Sequence, residues 1–258
     1  MNTHNLQLFK CLRFCQRPAY IPEFLSQVYD PLSAQVYLLV AEVSTLCADY
    51  LDWERDRLNV PGPATASSFA QKAQSLDFRA QNIISGIPPR FTYSRVFKND
   101  CPQLPFWIAR LVTDPRAPPF VHTYSGFGPC FLWNTIRYAR IRLHQMLLTL
   151  SDMILDAGLR SNSIETILKL EGEISSTIYA LLLATDQRDL GRESQGQEIP
   201  GFRSFLLVRC LLCVKLALRF LDKRGVYVDE RLAWVEDVWE CLQQNLSIFI
   251  PPQIDPLY

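Results

Sequence analysis

Four acidic side chains in one predicted helix, Glu42, Asp49, Asp52 and Asp56, have a spacing that could support chemistry. Steps of seven, three and four residues place them on one helix face, where clustered carboxylates can hold Mg²⁺. This arrangement would suit a small helical enzyme of secondary metabolism, which we keep as an alternative function. The segment has no adjacent aspartates, and no second acidic motif is found on another helix, so we expect a solvated acidic face. We predict no metal ligand, no cofactor and no enzymatic activity.

General bases are scarce, because the histidines are His4, His122 and His144 alone. No Gly-x-Ser-x-Gly nucleophile elbow accompanies them. The glycine pair of Gly126 and Gly128 lacks the lysine and the preceding strand that a phosphate-cradling loop requires. We therefore predict no catalytic residue.

A predicted helix over residues 131–157 carries Arg137, Arg140 and Arg142, with no acidic residue between positions 129 and 151. Arginines along a helix can contact phosphate groups. Only Arg137 and Arg140 share a face, however, and no basic patch rich in aromatic residues surrounds them. We expect these arginines to pair with acids on neighbouring helices, and we predict no DNA-binding residue.

The chain has eight cysteines. Its first ten residues are polar and show no secretory signal, which favours a reducing compartment and free thiols. The one C-x-x-C pair, Cys210 and Cys213, lies in an apolar helical run and has no second pair to complete a zinc site. We expect both to be buried as small hydrophobic side chains.

The composition narrows the function classes. Of the 258 residues, 48% are apolar and 20% charged, which excludes a wholly disordered chain. The 26 basic and 26 acidic side chains cancel, whereas a protein that binds nucleic acid through phosphates has a basic surplus. No membrane span is predicted, because residues 205–221 contain Arg209, Lys215 and Arg219 and residues 36–48 are too few.

Apolar residues recur at helical spacing over six segments, and no alternating run is long enough to predict a sheet. The predicted fold class is all-α, an irregular multi-helix bundle with a proline-rich loop region. Asn162 or Ser163 is expected to cap the fourth helix, and the fifth is apolar all round, which is typical of a buried helix. The last helix carries a heptad-like apolar stripe from Leu232 to Phe249, which we assign to core packing rather than to a dimerising coiled coil. The predicted helices cover residues 33–57, 66–85, 131–157, 163–184, 202–223 and 229–250.

We predict a single helical domain over residues 1–258, with residues 1–30 peripheral. Eight of the 17 prolines fall within residues 88–129, so this segment is expected to be irregular, apart from one short helix around Trp107, Ile108 and Leu111. Residues 186–200 are polar and predicted to form a mobile surface loop.

Three stretches resemble the regulatory middle and C-terminal region of fungal binuclear zinc-cluster transcription factors. The most specific is the string Trp133-Asn134-x-x-Arg137-x-x-Arg140-Ile141. The second covers residues 73–93 and ends in the Gly-Ile-Pro-Pro-Arg-Phe-Thr-Tyr corner of residues 86–93. The third, residues 172–183 and 202–247, is similar to the family's succession of a helix, an apolar helix and a helix containing tryptophan, here Trp234. Together the resemblance spans residues 66–247.

The resemblance implies a helical regulatory domain that acts through protein partners in transcription regulation, or through a small-molecule effector whose binding shifts the exposure of a partner-binding face. Trp133, Arg137 and Arg140 are its most characteristic residues, and their expected role is to fix the third predicted helix against its neighbours. We assign no ligand-binding residue and no oligomeric state. The expected localisation is the nucleus, or the cytoplasm where no partner carries the chain inward.

The zinc cluster of that family is missing. Two zinc ions share six cysteines in two C-x-x-C-x6-C halves, and no segment of this chain has that spacing. We therefore expect no direct binding of this chain to nucleic acid, and no binding to membranes. An interaction or scaffold protein of other descent is the remaining alternative.

Overall fold

The structure is a computed structural model that describes residues 10–18, 30–56, 63–100, 106–186 and 200–246. In these ranges most residues are helical, and the paired strands form one two-stranded sheet. The predicted all-α, multi-helix fold class is confirmed. The helices of eight or more residues are α1 (Pro31–Asp56), α2 (Pro63–Ser85), α3 (Phe106–Thr113), α4 (Phe127–Ile154), α5 (Ala157–Asp186), α6 (Pro200–Asp222) and α7 (Asp229–Leu246); the strands are β1 (Tyr93–Phe97) and β2 (Phe120–Tyr124).

The described residues divide into two compact units. Those of unit 1 come from Met1–Pro89 and Leu132–Leu170, and those of unit 2 from Arg90–Phe131 and Glu171–Ile254. Helices α4 and α5 each contribute residues to both units. The single helical domain over residues 1–258 stays a prediction.

In unit 1, α1 and α2 pack against each other. The side of α2 that is buried carries alanines at steps of three, four and seven residues, namely Ala66, Ala70, Ala73 and Ala80. Small side chains at these steps allow two helices to approach closely. The predicted apolar stripe of α4 is confirmed as core, because Leu132, Ile136, Ala139, Leu143, Leu147 and Leu150 are all buried.

Among the described residues, three helix ends use a left-handed residue, and one of these helices is the short stretch of residues 10–14. Cys15, Leu155 and Gly225 have φ angles of 49°, 56° and 74°. The residue that follows each one donates its amide to the carbonyl five positions earlier, from Gln16 to Cys11, Asp156 to Ser151 and Val226 to Leu221, at 2.9 to 3.1 Å. This is the Schellman motif, in which glycine is the usual left-handed residue. Two of these three ends therefore carry a side chain where glycine would be less strained.

The link between α4 and α5 differs from the prediction. Helix α5 begins at Ala157, and the Asp156 carboxylate accepts the amide of Leu159 at 2.9 Å as its cap. The prediction of a cap at Asn162 or Ser163 was wrong, because both lie inside the helix. The third helix was predicted to run to residue 157, just before Gly158, but α4 ends at Ile154 and Gly158 belongs to the first turn of α5.

The prediction that residues 88–129 contain no sheet was also wrong. Strands β1 and β2 pair antiparallel, with Tyr93 opposite Tyr124 and Phe97 opposite Phe120. The prolines lie outside both strands, so no backbone donor is lost from the ladder. The expected short helix around Ile108 is confirmed as α3.

Unit 2 contains the predicted buried helix. Leu207, Leu211, Val214, Ala217 and Leu218 of α6 are fully buried. In α7 the buried residues are Trp234, Val235, Val238 and Leu242, and the indole of Trp234 donates to the carbonyl of Leu111 in α3 at 3.0 Å. Of the predicted apolar stripe, Val235 and Leu242 are confirmed as core, whereas Leu232 and Trp239 are only partly buried. The side chains of Leu246 and Phe249 lie outside the described part of the structure.

Some predictions fall outside the described residues. These are the positions of His4, Cys101 and Phe249, most of the peripheral segment 1–30, and the predicted loop between positions 187 and 199. Among the described residues one helix, α1, is long and apolar enough to cross a membrane, and 61% of that stretch is buried within the protein. Helix α1 contains residues 36–48, which we predicted to be too few for a membrane span, and continues beyond both ends of that segment.

Candidate functional site

The residues that carry the family resemblance lie on one stretch of α4. Trp133, Asn134 and Arg137 are all buried, and Arg137 is among the largest fully buried side chains described. Its guanidinium lies 5.1 Å from the centroid of the Trp133 ring and donates to Asn134 Oδ1 at 3.0 Å. A planar guanidinium can stack on an aromatic face in this way, which an ammonium group cannot.

One turn further along α4, Arg140 reaches Asp77 of α2. Its Nε and Nη2 donate to the two carboxylate oxygens at 2.6 and 3.1 Å. Gln81 Nε2 donates to the same carboxylate at 2.6 Å, and His144 Nε2 lies 3.4 Å from it. We call these residues, with Trp133, Asn134 and Arg137, the α4 cluster. The prediction of an acidic partner on a neighbouring helix is confirmed for Arg140.

Electrostatics keep Asp77 ionised. Burial raises the pKa of this carboxyl, but the contacts with His144 and Arg140 and their charges lower it further, so that its pKa lies well below the usual value. A carboxylate already engaged by Arg140 and Gln81 is a poor general base. The α4 cluster is therefore suited to holding α2 against α4.

Arg142 has a partner of a different kind. Its Nη2 donates to the sulfur of Cys15 at 2.6 Å and its Nη1 to Gln145 Oε1 at 2.7 Å. Cys15 comes from the chain segment that precedes α1. The prediction of an acidic partner was wrong for this arginine, whose polar contacts among the described residues are with a thiol and an amide.

The acidic face of α1 is occupied by arginines that the sequence analysis did not connect with it. Arg17 Nη2 lies 2.7 Å from both Asp49 and Asp52, and Arg79 pairs with Glu42. Within the described ranges no group of three metal-binding side chains is found. Three of the four carboxylates considered for Mg²⁺, those of Glu42, Asp49 and Asp52, therefore face guanidinium groups.

Neither described histidine lies in an open cleft. His122 is buried in β2, with its ring 4.2 Å from that of Tyr93. His144 is buried in the α4 cluster. The statement that no strand precedes Gly126 was wrong, because β2 ends at Tyr124 and α4 begins at Phe127.

Unit 2 has a buried polar group that the sequence analysis missed. Glu171 of α5 is bound by Arg231 of α7 at 2.7 Å and by the Ser175 hydroxyl at 2.8 Å. Burial raises the pKa of Glu171, although the charge of Arg231 and the two hydrogen bonds oppose that shift. No periodicity could have revealed the pair, since its members are 60 positions apart.

Cys210 and Cys213 are buried, as expected. Neither forms a disulfide, and the same holds for the other described cysteines, Cys11, Cys15, Cys47, Cys130 and Cys241.

Unit 2 also contains a small cavity. Its volume is about 20 Å³, and it is bordered by α3, β2, α5 and α7, with Leu111, Val121, Tyr179 and Trp234 in its wall. That is room for about one water molecule, whereas ligand sites span hundreds of Å³. No ligand-binding residue is assigned from it.

No protein-family model, curated protein or solved structure matches this chain. The resemblance to zinc-cluster transcription factors consequently stays a prediction.

Proposed function

We propose that this chain is a helical regulatory domain of the transcription-factor type that lacks a DNA-binding module and acts through contacts with protein partners. The observation that carries the proposal is the α4 cluster. The four residues most specific to the resemblance lie in adjacent turns of one helix and contact one another or Asp77. Trp133, Asn134 and Arg137 are buried, and Arg140 is partly buried. Where buried residues have fixed partners, we expect related chains to share the same sequence string.

The burial and pairing of the arginines on α4 support the proposal that this chain does not bind DNA. Arg137 and Arg142 are buried, and Arg140 is held by Asp77. Binding to phosphates requires arginine side chains at the surface. These three arginines are therefore unsuited to bind a duplex while the cluster is intact.

A reporter assay tests the regulatory role. The full chain is fused to a heterologous DNA-binding module and directed to a promoter. We expect the wild-type fusion and a Glu42→Ala fusion to change transcription relative to the module alone, since Glu42 forms only a surface ion pair. Arg140→Ala removes the buried partner of Asp77 and should abolish the effect. An unchanged reporter with the wild-type fusion would contradict the proposal.

Two measurements on the chain without the module complete the test. A fluorescently tagged chain is expected in the nucleus when its partner is present, and the purified chain should not shift duplex DNA. Sequence-specific binding that weakens steeply with salt would contradict the proposal, because such dependence reports phosphate contacts by the chain itself.

A further inference from the structure

Cys15, Cys47 and Arg142 form a second buried polar group in unit 1, which the proposed function does not use. Arg142 Nη2 donates to Cys15 Sγ at 2.6 Å. The thiol of Cys47, on α1, lies within hydrogen-bonding reach of the same sulfur. All three residues are buried. We call this group the Cys15 site.

The buried positive charge of Arg142 requires a compensating negative charge inside the protein. Burying a cation without a counter-charge is strongly unfavourable, and in the part of the chain that the structure describes no acidic side chain pairs with Arg142. Among the ionisable groups whose charges act on Arg142, which are Cys15, Tyr138 and Cys47, the sulfur of Cys15 is the one that accepts its hydrogen bond. An ionised Cys15 therefore matches the buried guanidinium.

The pKa shifts of the two thiols agree with this geometry. The hydrogen bond from Cys47 and the charge of Arg142 lower the pKa of Cys15 to about 6, although burial opposes them. The same hydrogen bond, together with burial, raises the pKa of Cys47. At neutral pH Cys15 is then the thiolate and Cys47 the neutral thiol that stabilises it.

The backbone provides an independent observation. Cys15 occupies the left-handed position of a Schellman motif, with φ at 49°. At the same position of another such motif the chain has the usual glycine, Gly225. A residue other than glycine is strained in this region, and such strain is concentrated at functional positions. At this helix end the strained residue presents its sulfur to Arg142.

We propose that Cys15 is an oxidant-reactive thiolate and Cys47 its resolving thiol, so that hydrogen peroxide converts the pair into a disulfide. In the first step the Cys15 sulfur attacks one oxygen of the peroxide. The S–O bond forms, the O–O bond breaks, and the leaving hydroxide takes up a proton to become water, which leaves Cys15 as a sulfenic acid. In the second step the Cys47 sulfur attacks the Cys15 sulfur. The S–S bond forms, the S–O bond breaks, and the oxygen leaves as water with the proton of Cys47.

Overall the two thiols lose two electrons and one peroxide is reduced to two water molecules. Cys15 keeps a residual exposure of 7%, and hydrogen peroxide is nearly as small as water. The disulfide would remove the counter-charge of Arg142 and tie the segment before α1 to α1 itself. Oxidation thereby rearranges the buried polar contacts of unit 1.

Peptide mapping of the full, reduced chain tests the proposal. The chain is treated with hydrogen peroxide, its remaining thiols are alkylated under denaturing conditions, and the peptides are analysed without reduction. We expect a Cys15–Cys47 disulfide, while Cys210 and Cys213 stay reduced as matched buried thiols. In Cys47→Ser the reaction should stop at a Cys15 sulfenic acid that dimedone traps. In Cys15→Ser, Cys47 should stay reduced.

The role of Arg142 is tested by the pH dependence of Cys15 alkylation with iodoacetamide. In the wild type the rate should have a midpoint near the Cys15 pKa of about 6. Arg142→Gln should move the midpoint upward. A rise of about one pKa unit would slow the reaction near pH 6.5 about threefold, because the thiolate fraction falls from about three quarters to about one quarter. The wild type in denaturant, in which every thiol is exposed, controls for variants that fail to fold.

Two results would overturn the proposal. Cys15 that reacts with peroxide no faster than Cys210 and Cys213 in the native wild-type chain would show that its thiolate is not oxidant-reactive. A Cys15 that is oxidised but joined to a different cysteine, or that stays a sulfenic acid beside a reduced Cys47, would refute the resolving role of Cys47.

Discussion

Arg140 of α4 and Asp77 of α2 are joined by two parallel hydrogen bonds, and their side chains are only 14% and 9% exposed. A bidentate pair between a guanidinium and a carboxylate combines charge with a fixed geometry. Removing one member of such a pair leaves the other charge buried without compensation. The contact between these two helices therefore depends on both residues.

Asp77→Ala is expected to lower the free energy of unfolding by about 3–5 kcal/mol, because Arg140 keeps its buried charge and loses its counter-ion. The matched control is Glu42→Ala, which removes a pair whose side chains are 41% and 43% exposed and should cost no more than about 1 kcal/mol. Denaturant unfolding followed by circular dichroism measures both. Equal losses in the two variants would contradict the assigned role of Asp77.

Lowering the pH should reduce the stability of the folded chain, because Asp77 becomes protonated. Because the pKa of Asp77 is lower in the folded state than in the unfolded state, its contribution to stability is complete above the unfolded pKa of about 4 and declines as the pH falls below that value. Asp77→Asn cannot ionise and should lack this decline. Urea midpoints between pH 2 and pH 6 are the measurement, and parallel curves for wild type and variant would argue against a lowered pKa.

Glu171 should show the opposite trend. Its pKa is raised in the folded state, so its contribution to stability is greatest at low pH and falls as the pH rises through about 4.5 toward the folded value. Glu171→Gln removes this loss, and its stability relative to wild type should increase between pH 4 and pH 7. If the relative stability instead drops over that interval, the attraction of Arg231 outweighs burial.

Leu155 offers a stabilising substitution. It is 90% exposed and has a φ of 56°, so Leu155→Gly loses almost no packing and relieves the left-handed strain, with an expected gain of about 1 kcal/mol. Gly225→Ala is the reciprocal change, since a Cβ meets no atom within 4 Å but the φ of 74° remains strained. It should cost about as much. Melting temperatures that move in the same direction for both would refute the strain argument.

The sequence predicted the helices well and their ends poorly, and the reason is visible at two of them. The ends at Cys15 and Leu155 use the glycine-type conformation without glycine, so they carry no local signal. Gly158, which resembles such a signal, lies in the first turn of α5, where Asp156 already caps the helix. Local backbone hydrogen bonds and the Asp156 cap set these ends without a glycine.

The candidate site was predictable only in part. An acidic partner for Arg140 on another helix followed from the absence of acids between positions 129 and 151, but Asp77 lies 63 positions away, and no spacing rule identifies it. The thiol partner of Arg142 was missed because, from the sequence alone, a cysteine is interpreted as a small apolar residue and its ionisation is not known. The strands were missed because prolines flank them, although none lies within them.

The buried arginines limit how this chain can diverge. Arg137 lies over Trp133 and Arg209 over Phe131, and lysine cannot reproduce the stacking of a planar guanidinium on a ring. We therefore expect each of these arginines to change only together with its aromatic partner, whereas exposed positions are free to vary. Distant relatives should therefore share the spacing of arginine and aromatic residues after their overall identity has been lost.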